Sequence, residues 1–427
     1  CNFRRDKYIM TTNYEIIDSV AIDRYSIPQH RLDLSGKTRK NFFSWRGQFS
    51  PEFVDLLITS YAEPESVILD PFVGSGTTLF EAVRNSISCI GVEINPAAVE
   101  MAKTVQFVNL HPQQREQIIE IAKQIVQHFT HLDSTRFFIR CSKLNDGVIK
   151  EMLLASRFNP LVHNIILNSI FHYYASHARK VDDLTKFVFS FQRHVNFIRS
   201  LPFMQKAVKV FHSDARALPI EDESVDLVIT SPPYINVFNY HQNYRKVMEM
   251  VGWDMLRIAK SEIGSNRKNR GNRFLTVIQY SIDMFLALRE MRRVLKPDGR
   301  LILVIGRESK IKGVSFENYR ILATLAVELA QFDLIARQER KFTNRFGKLI
   351  YEDILHLKPV SKDGGTEDDA REIGVEFLKR ALKNAPSDKV LGDIESAIAN
   401  AHKVERSPIF KPDNLLGGVG ANELDAA

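Results

Sequence analysis

Short apolar runs recur along the chain, and each stops on polar or small residues. Val67–Phe72 is followed by Cys89–Ile94, then Val208–Phe211, Val225–Thr230 and Arg300–Ile305. Between them the apolar spacing changes from continuous to helical. Pro51–Ile58 has that spacing, with Ser50 as N-cap and Pro51 at the first helical position. Residues 281–295 have it too, ahead of the turn Lys296-Pro297-Asp298-Gly299. Strand alternating with helix predicts an α/β fold with a doubly wound, mostly parallel sheet. Later, Phe332–Phe342 and Leu349–Leu357 flank Thr343-Asn344-Arg345-Phe346-Gly347, a hairpin that closes the sheet.

Two stretches break this rhythm. The interval from Glu93 to Asp214 is several times longer than the ~30 residues of a simple βαβ step. Within it Ile118, Ala122, Ile125 and Phe129 keep helical spacing, as do Leu161, Ile165 and the aromatics up to Tyr174. Residues 106–205 therefore read as a helical insertion, large enough to recognise a target; Phe187, Phe189 and Phe191 read as its core. The second stretch, roughly 236–280, carries Arg257, Lys260, Arg267, Lys268, Arg270 and Arg273 among Asn, Gly and Ser. Residues 1–40, with the basic cluster Arg31, Lys37, Arg39 and Lys40, read as an arm. Residues 361–427 read as a charged linker, a short amphipathic helix near 373–385 and a weakly structured tail. That leaves 41–105 and 206–360 as the central domain.

Two segments carry the chemistry. Residues 66–78 read Ser-Val-Ile-Leu-Asp-Pro-Phe-Val-Gly-Ser-Gly-Thr-Thr, a buried strand breaking into a glycine turn. Residues 230–234 read Thr-Ser-Pro-Pro-Tyr and end the run Val225–Ile229. In open α/β sheets ligands bind at such C-terminal strand ends. A glycine-rich strand–turn–helix also fits NAD or FAD, but Gly74-Ser75-Gly76-Thr77 lacks the third glycine of the dinucleotide pattern.

The pair of segments resembles the amino-methyltransferases, which move a methyl from S-adenosylmethionine to an exocyclic amine of a nucleobase. Ser-Pro-Pro-Tyr looks most like the DNA cytosine-N4 branch; adenine-N6 enzymes mostly carry Asp or Asn where Ser231 stands. The resemblance covers 41–105 and 206–360. It implies a Rossmann-like class I methyltransferase fold, a seven-stranded sheet whose last strand is antiparallel. Many Ser-Pro-Pro-Tyr enzymes place the catalytic segment first; here the glycine segment comes first.

The implied cofactor, S-adenosylmethionine, presents an ammonium, a carboxylate, a ribose diol and an adenine. Gly74 and Gly76 let the backbone approach it closely, with Phe72 and Ser75 in the same turn. Thr77 and Thr78 start a helix whose amides can receive the carboxylate. The resemblance puts Asp70 at the ammonium, Glu93 at the ribose diol and Asp214, in His212-Ser213-Asp214-Ala215, at the adenine amine. The aromatic segment Phe42-Phe43-Ser44-Trp45-Arg46-Gly47-Gln48-Phe49 resembles the family's N-terminal cofactor motif, which closes over the methionine end.

An exocyclic base amine is a poor nucleophile because its lone pair is delocalised. The Ser231 hydroxyl and Pro232 carbonyl can each accept one of its N–H bonds, Pro233 fixes the backbone, and Tyr234 can stack on the base. No metal is required. A target inside a duplex must be flipped out, at a cost of a few kcal/mol. The basic residues from Arg257 to Arg273 are candidates for phosphate contacts.

Composition adds bounds. The 427 residues are 44% hydrophobic and 26% charged, as in an ordinary soluble protein. No apolar run approaches the ~20 residues of a membrane span. The segment before Met10 lacks an apolar signal core, and Met10 reads as the biological start. Cys1, Cys89 and Cys141 offer neither metal spacing nor a disulfide set, which suggests a reducing, cytoplasmic setting. A net charge of +7 is compatible with a polyanionic partner. The resulting expectation is a site-specific DNA methyltransferase forming N4-methylcytosine in duplex DNA, alone or beside a cognate restriction endonuclease. Adenine-N6 methylation, RNA amino-methylation and a non-catalytic nucleic-acid-binding module stand as alternatives.

Overall fold

The computed structural model describes residues 16–34, 39–130, 144–176, 184–235, 240–264, 271–343 and 347–412. Cys1, Met10, Lys37, Cys141, Arg267, Lys268, Arg270 and the Asn344-Arg345-Phe346 part of the expected turn lie outside the described residues.

The strands are β1 (Val67–Asp70), β2 (Ser88–Glu93), β3 (Val208–His212), β4 (Val225–Thr230), β5 (Leu295–Gly306), β6 (Glu308–Ile311), β7 (Val314–Glu317), β8 (Phe332–Thr343) and β9 (Leu349–Pro359). Seven of them form one sheet in the order β3-β2-β1-β4-β5-β9-β8. β1 pairs in parallel with both β2 and β4, and β4 with β5. β9 runs antiparallel between β5 and β8. The winding reverses between β1 and β4, which opens a crevice at their C-terminal ends. This is the Rossmann-like class I methyltransferase arrangement that the two motifs imply.

The sheet is buried on both faces, so its strands read as continuous apolar runs. Leu69, Val228, Leu301 and Leu303 enter one core; Ile68, Leu227, Ile229 and Ile302 enter the other. The helix Leu275–Val294 fills the first face and Pro51–Tyr61 and Thr77–Arg84 cover the second. That first helix starts before the expected residue 281. The expected Lys296–Gly299 turn falls inside β5. There the register jumps from Val225↔Leu295 to Leu227↔Arg300, so these residues are looped out of the ladder. Lys296 anchors the loop by donating to Asp226 at 2.7 Å.

Residues 106–205 hold the helices Pro112–Thr130, Asp146–Ser156, Pro160–Ser176 and Leu184–Ser200. Their core includes Ile119, Ala122, Val126, Ile165, Phe187 and Phe191, whereas Phe189 is 73% exposed. Phe43, Met101, Val247, Met248 and Phe410 belong to the same core, so the helices are fused to the sheet domain.

The C-terminal region is more ordered than its composition suggests. A helix spans Glu367–Ala381, capped by a reciprocal Thr366–Asp369 box, and buries Ile373, Phe377 and Leu378. A second helix, Asp388–Ala399, follows. The chain then returns to the sheet domain, where Ser407 and Phe410 are buried. At the other end, the arm docks on β8: Ile22 bridges Arg337 and Arg24 pairs with Glu339 at 2.9 Å.

Candidate functional site

A cleft of about 890 Å³, open solvent at its mouth included, lies at the C-terminal ends of β1, β2 and β4. Its floor is the glycine turn. Gly74 and Gly76 have φ of +51° and +95°, where side chains are disfavoured. A Cβ on Gly76 would sit 3.0 Å from the Ala102 Cα, and one on Gly74 would sit 3.3 Å from the Trp45 indole. The turn is therefore held between a helix and the aromatic segment. Gln48 donates to the Ser75 hydroxyl at 2.5 Å, and Thr77 donates to Asn41 at 2.9 Å. Trp45, Gln48 and Phe49 line the cleft from that side.

Three acids from three strands converge on it. Asp70 is buried and accepts hydroxyls from Thr78 and Thr230, both at 2.6 Å, and the Phe72 amide at 3.1 Å. Burial outweighs these donors and pushes its carboxyl up to about 6. Glu93 accepts the amides of Ile94 and Asn95 at 2.9 Å through one oxygen and that of Gly74 at 3.1 Å through the other. Burial pushes it up to about 7. Asp214 also lines the cleft, yet both its oxygens are engaged. Oδ1 accepts from the Arg216 amide and Nε; Oδ2 accepts from Arg216 Nη2 and the Phe410 amide.

The catalytic candidates stand opposite. Ser231 and Pro233 line the cleft, while Pro232 is buried. The Ser231 hydroxyl is 3.3 Å from that of Tyr234, and the Pro233 carbonyl accepts from Tyr280 at 3.0 Å. The Tyr234 ring lies against the Gly306 backbone, where a Cβ would meet it at 2.8 Å. The aromatic rings that line the cleft are Trp45, Phe49, Phe72 and Tyr240. Trp45 and Tyr240 are near parallel, with centroids 6.4 Å apart and a 14° interplanar angle.

Tyr240 and Glu262 were not among the residues singled out in the sequence, because they sit in a stretch that reads as a basic loop. The structure clamps both: Asn95 donates to the Tyr240 carbonyl at 3.1 Å, and the His241 amide donates to Glu262 at 2.6 Å. Of the basic candidates, Arg257 and Lys260 are exposed on the helix Met255–Ser261, which leads into the cleft wall at Ser261, Glu262 and Ile263. Arg273 is exposed just before the helix Leu275–Val294. Among the described residues no group of three or more His, Cys, Asp or Glu could hold a metal ion, and no helix is long and apolar enough to cross a membrane.

The residues present fit S-adenosylmethionine. The cradle is glycine where a Cβ would collide, carboxylates suit the ammonium and diol, and aromatic side chains flank the opening.

Residues 26–104 match a family model described as DNA methylase of the N6/N4 type. The chain is 21% identical over 263 residues to the Type II methyltransferase M.AvaI of Nostoc sp., covering 51% of this chain and 54% of that protein. It is 25% identical over 276 residues to the Type II methyltransferase M.BsoBI of Geobacillus stearothermophilus, covering 52% and 54%. The chain thus spans about half the length of the curated relatives it matches. Among solved structures, the rRNA methyltransferase AviRa of Streptomyces viridochromogenes aligns over 83% of this chain and all of that one, at 13% identity and a TM-score of 0.31. The resemblance to DNA amino-methyltransferases, carried in the sequence by two short motifs, stands on the family match and the two Type II relatives.

Proposed function

We propose that the protein is a site-specific DNA amino-methyltransferase that methylates the exocyclic N4 of cytosine in duplex DNA. The observation that carries this reading is one cleft lined by both Glu93 with the glycine turn and Ser231 with Pro233. A group held on the first set lies beside a base amine held on the second. The Type II names of the relatives favour DNA as the substrate, in a restriction–modification setting with a cognate endonuclease.

S-adenosylmethionine, when bound, supplies an electrophilic methyl on sulfur. The chain's own residues do the rest. Asp70 faces the ammonium, Glu93 the ribose diol and Asp214 the adenine end; Gly74, Gly76 and the start of the helix Thr77–Arg84 accommodate the methionine part. Phe49 and Trp45 cover it. The Ser231 hydroxyl and the Pro232 carbonyl accept the N–H bonds of the target amine and pull its nitrogen toward tetrahedral geometry. Acceptors aimed at charge that develops in the transition state act most strongly there. Fixing nitrogen and methyl in line removes the entropy of finding that geometry. Arg257, Lys260, Arg267, Lys268, Arg270 and Arg273 supply phosphate contacts beside the flipped base.

Ser231 favours cytosine over adenine. Transfer of tritiated methyl from S-adenosylmethionine to unmethylated bacterial genomic DNA, followed by nucleoside analysis, tests this. Label in N4-methylcytosine is expected. Label in N6-methyladenine would correct the base and keep the site. Label only in RNA, or in no nucleic acid, would overturn the reading.

A further inference from the structure

Asp214 follows β3 and lines the cleft, but its acceptors are spent. A carboxylate offers about four lone-pair sites. Those on Oδ1 take the Arg216 amide at 3.0 Å and Arg216 Nε at 2.9 Å; those on Oδ2 take Arg216 Nη2 at 2.7 Å and the Phe410 amide at 2.8 Å. An adenine amine at this end of the cleft needs another acceptor.

A second carboxylate stands on the same wall. Arg216 Nη2, which holds Asp214, also donates to the Ser261 carbonyl at 3.0 Å. Glu262 is the next residue, and Ser261, Glu262 and Ile263 all line the cleft. The segment runs on to Gly264, whose Cβ position is 2.9 Å from the Tyr234 carbonyl. Glu262 is thus near the Asp214 end of a strip whose other end meets the Ser-Pro-Pro-Tyr segment. It is also within electrostatic reach of Glu93: burial raises the Glu93 carboxyl, and the charge of Glu262 adds to that rise.

The Glu262 side chain is 7% exposed, yet its acceptors are only half used. Among the described residues both its donors come from His241: the backbone amide, to Oε1 at 2.6 Å, and ring Nδ1, to Oε2 at 2.9 Å. The Gln242 amide nitrogen lies 2.8 Å from the other ring nitrogen and steadies the imidazole from behind. The carboxylate is therefore fixed in orientation, with one lone-pair site open on each oxygen. A buried carboxylate short of donors is unfavourable, and a ligand N–H facing it makes up the difference.

We propose that Glu262 is a specificity-determining residue of the cofactor site, accepting the exocyclic adenine amine that Asp214 has no site to take. The inference rests on the reading of the cleft as an S-adenosylmethionine site. It assigns the adenine contact to the segment that follows the Ser-Pro-Pro-Tyr motif, with Asp214 as part of the framework behind it.

Glu262→Gln turns this acceptor into a donor. The His241 amide can only donate, so it holds the glutamine oxygen. The side-chain nitrogen then falls beside His241 Nδ1, which accepts in the ring's other tautomer. The second hydrogen on that nitrogen is left facing the cleft, where the carboxylate had a lone pair. Full-length wild type and Glu262→Gln would be titrated with S-adenosylhomocysteine and with its inosine counterpart, in which a carbonyl replaces the adenine amine. Kinetics with S-adenosylmethionine and thermal midpoints would be measured alongside. Wild type is expected to prefer the adenine compound. In Glu262→Gln that preference should fall by about tenfold or more, the scale of one charge-assisted bond. The inosine compound should bind more tightly than it does to wild type. An unchanged ratio overturns the proposal. Equal weakening of both compounds also overturns it and places Glu262 at the ribose. So does a fall in kcat at unchanged cofactor affinity, which places it at the target base. If Glu262→Gln does not fold, Glu262→Asp replaces it: the charge stays, the carboxylate draws back by one methylene, and the same loss of preference is required. Wild type that binds neither compound overturns the cofactor reading itself, a result distinct from unchanged discrimination in a binding-competent variant.

Discussion

Thr230 donates its hydroxyl to Asp70 at 2.6 Å, so the residue just before Ser231 holds the acid that ends β1. The bond crosses the switch point between β1 and β4 and ties the cofactor half of the cleft to the catalytic half. Thr230→Val keeps the shape and removes the donor. A buried carboxylate left short of one bond costs on the order of 1–3 kcal/mol. Because burial raises Asp70 to about 6 and the Thr230 bond lowers it, the variant's carboxyl moves higher still. Cofactor affinity should fall, and the pH below which it declines should rise. Calorimetric titration with S-adenosylhomocysteine between pH 5 and 8 would test it; an unchanged profile would refute the coupling.

Ser231→Ala removes a hydroxyl that lines the cleft and is 3.3 Å from Tyr234. If that hydroxyl accepts a target N–H only as the transition state forms, kcat should fall about 10²–10³-fold. Cofactor affinity should stay within about twofold. A fall in affinity with unchanged kcat would mean that Ser231 belongs to the cofactor wall instead.

Gly306 lies outside the cleft lining, yet its Cβ position is 2.8 Å from the Tyr234 ring. Gly306→Ala forces that ring to move, at an overpacking cost of about 1–3 kcal/mol. A shifted stacking platform should reduce kcat by roughly tenfold or more and leave cofactor binding intact. Single-turnover methylation alongside binding of S-adenosylhomocysteine separates the two. Normal single-turnover rates would show that Tyr234 does not position the base.

Much of this arrangement is legible in the chain. The parallel strands read clearly because burial on both faces makes them continuous apolar runs, and Gly74 and Gly76 announce a turn that admits no side chain. Glu93 and Ser231 follow because they end such runs. What could not be read depends on contacts between distant segments. Nothing near Asp214 signals that Phe410 donates to it. Tyr240 enters the cleft only because Asn95 and Glu262 clamp its neighbourhood. The hairpin β6–β7 is short, and its local cues are the Lys312-Gly313 turn and the alternation Val314-Ser315-Phe316-Glu317. Phe189 alternates with two buried phenylalanines on a helix and so looks like core, yet it stands two residues from each, a turn of about 200°, which points it to solvent.

Glu93 adds a second pH dependence, above that of Asp70. Burial raises its carboxyl from 4.5 to about 7 despite three backbone amides. The folded, cofactor-free protein therefore holds a proton that the unfolded chain has released between those values. More protons in the folded state mean that this group's contribution to stability falls as pH rises from about 4.5 to about 7. Binding runs the other way. A ribose diol donates to the ionised carboxylate, so affinity for S-adenosylhomocysteine should climb as pH passes through about 7 and level off above it. Proton release should accompany binding below that point. Glu93→Gln keeps the size, cannot ionise, and should weaken binding about tenfold or more at pH 8. It should also flatten both trends: thermal midpoints of the free protein would no longer carry the Glu93 step, and affinity would lose its rise near neutrality. Titrations in buffers of different ionisation enthalpy count the proton directly. A wild-type affinity that is level from pH 6 to 8 would mean that Glu93 is already ionised in the free protein, its three amides outweighing its burial.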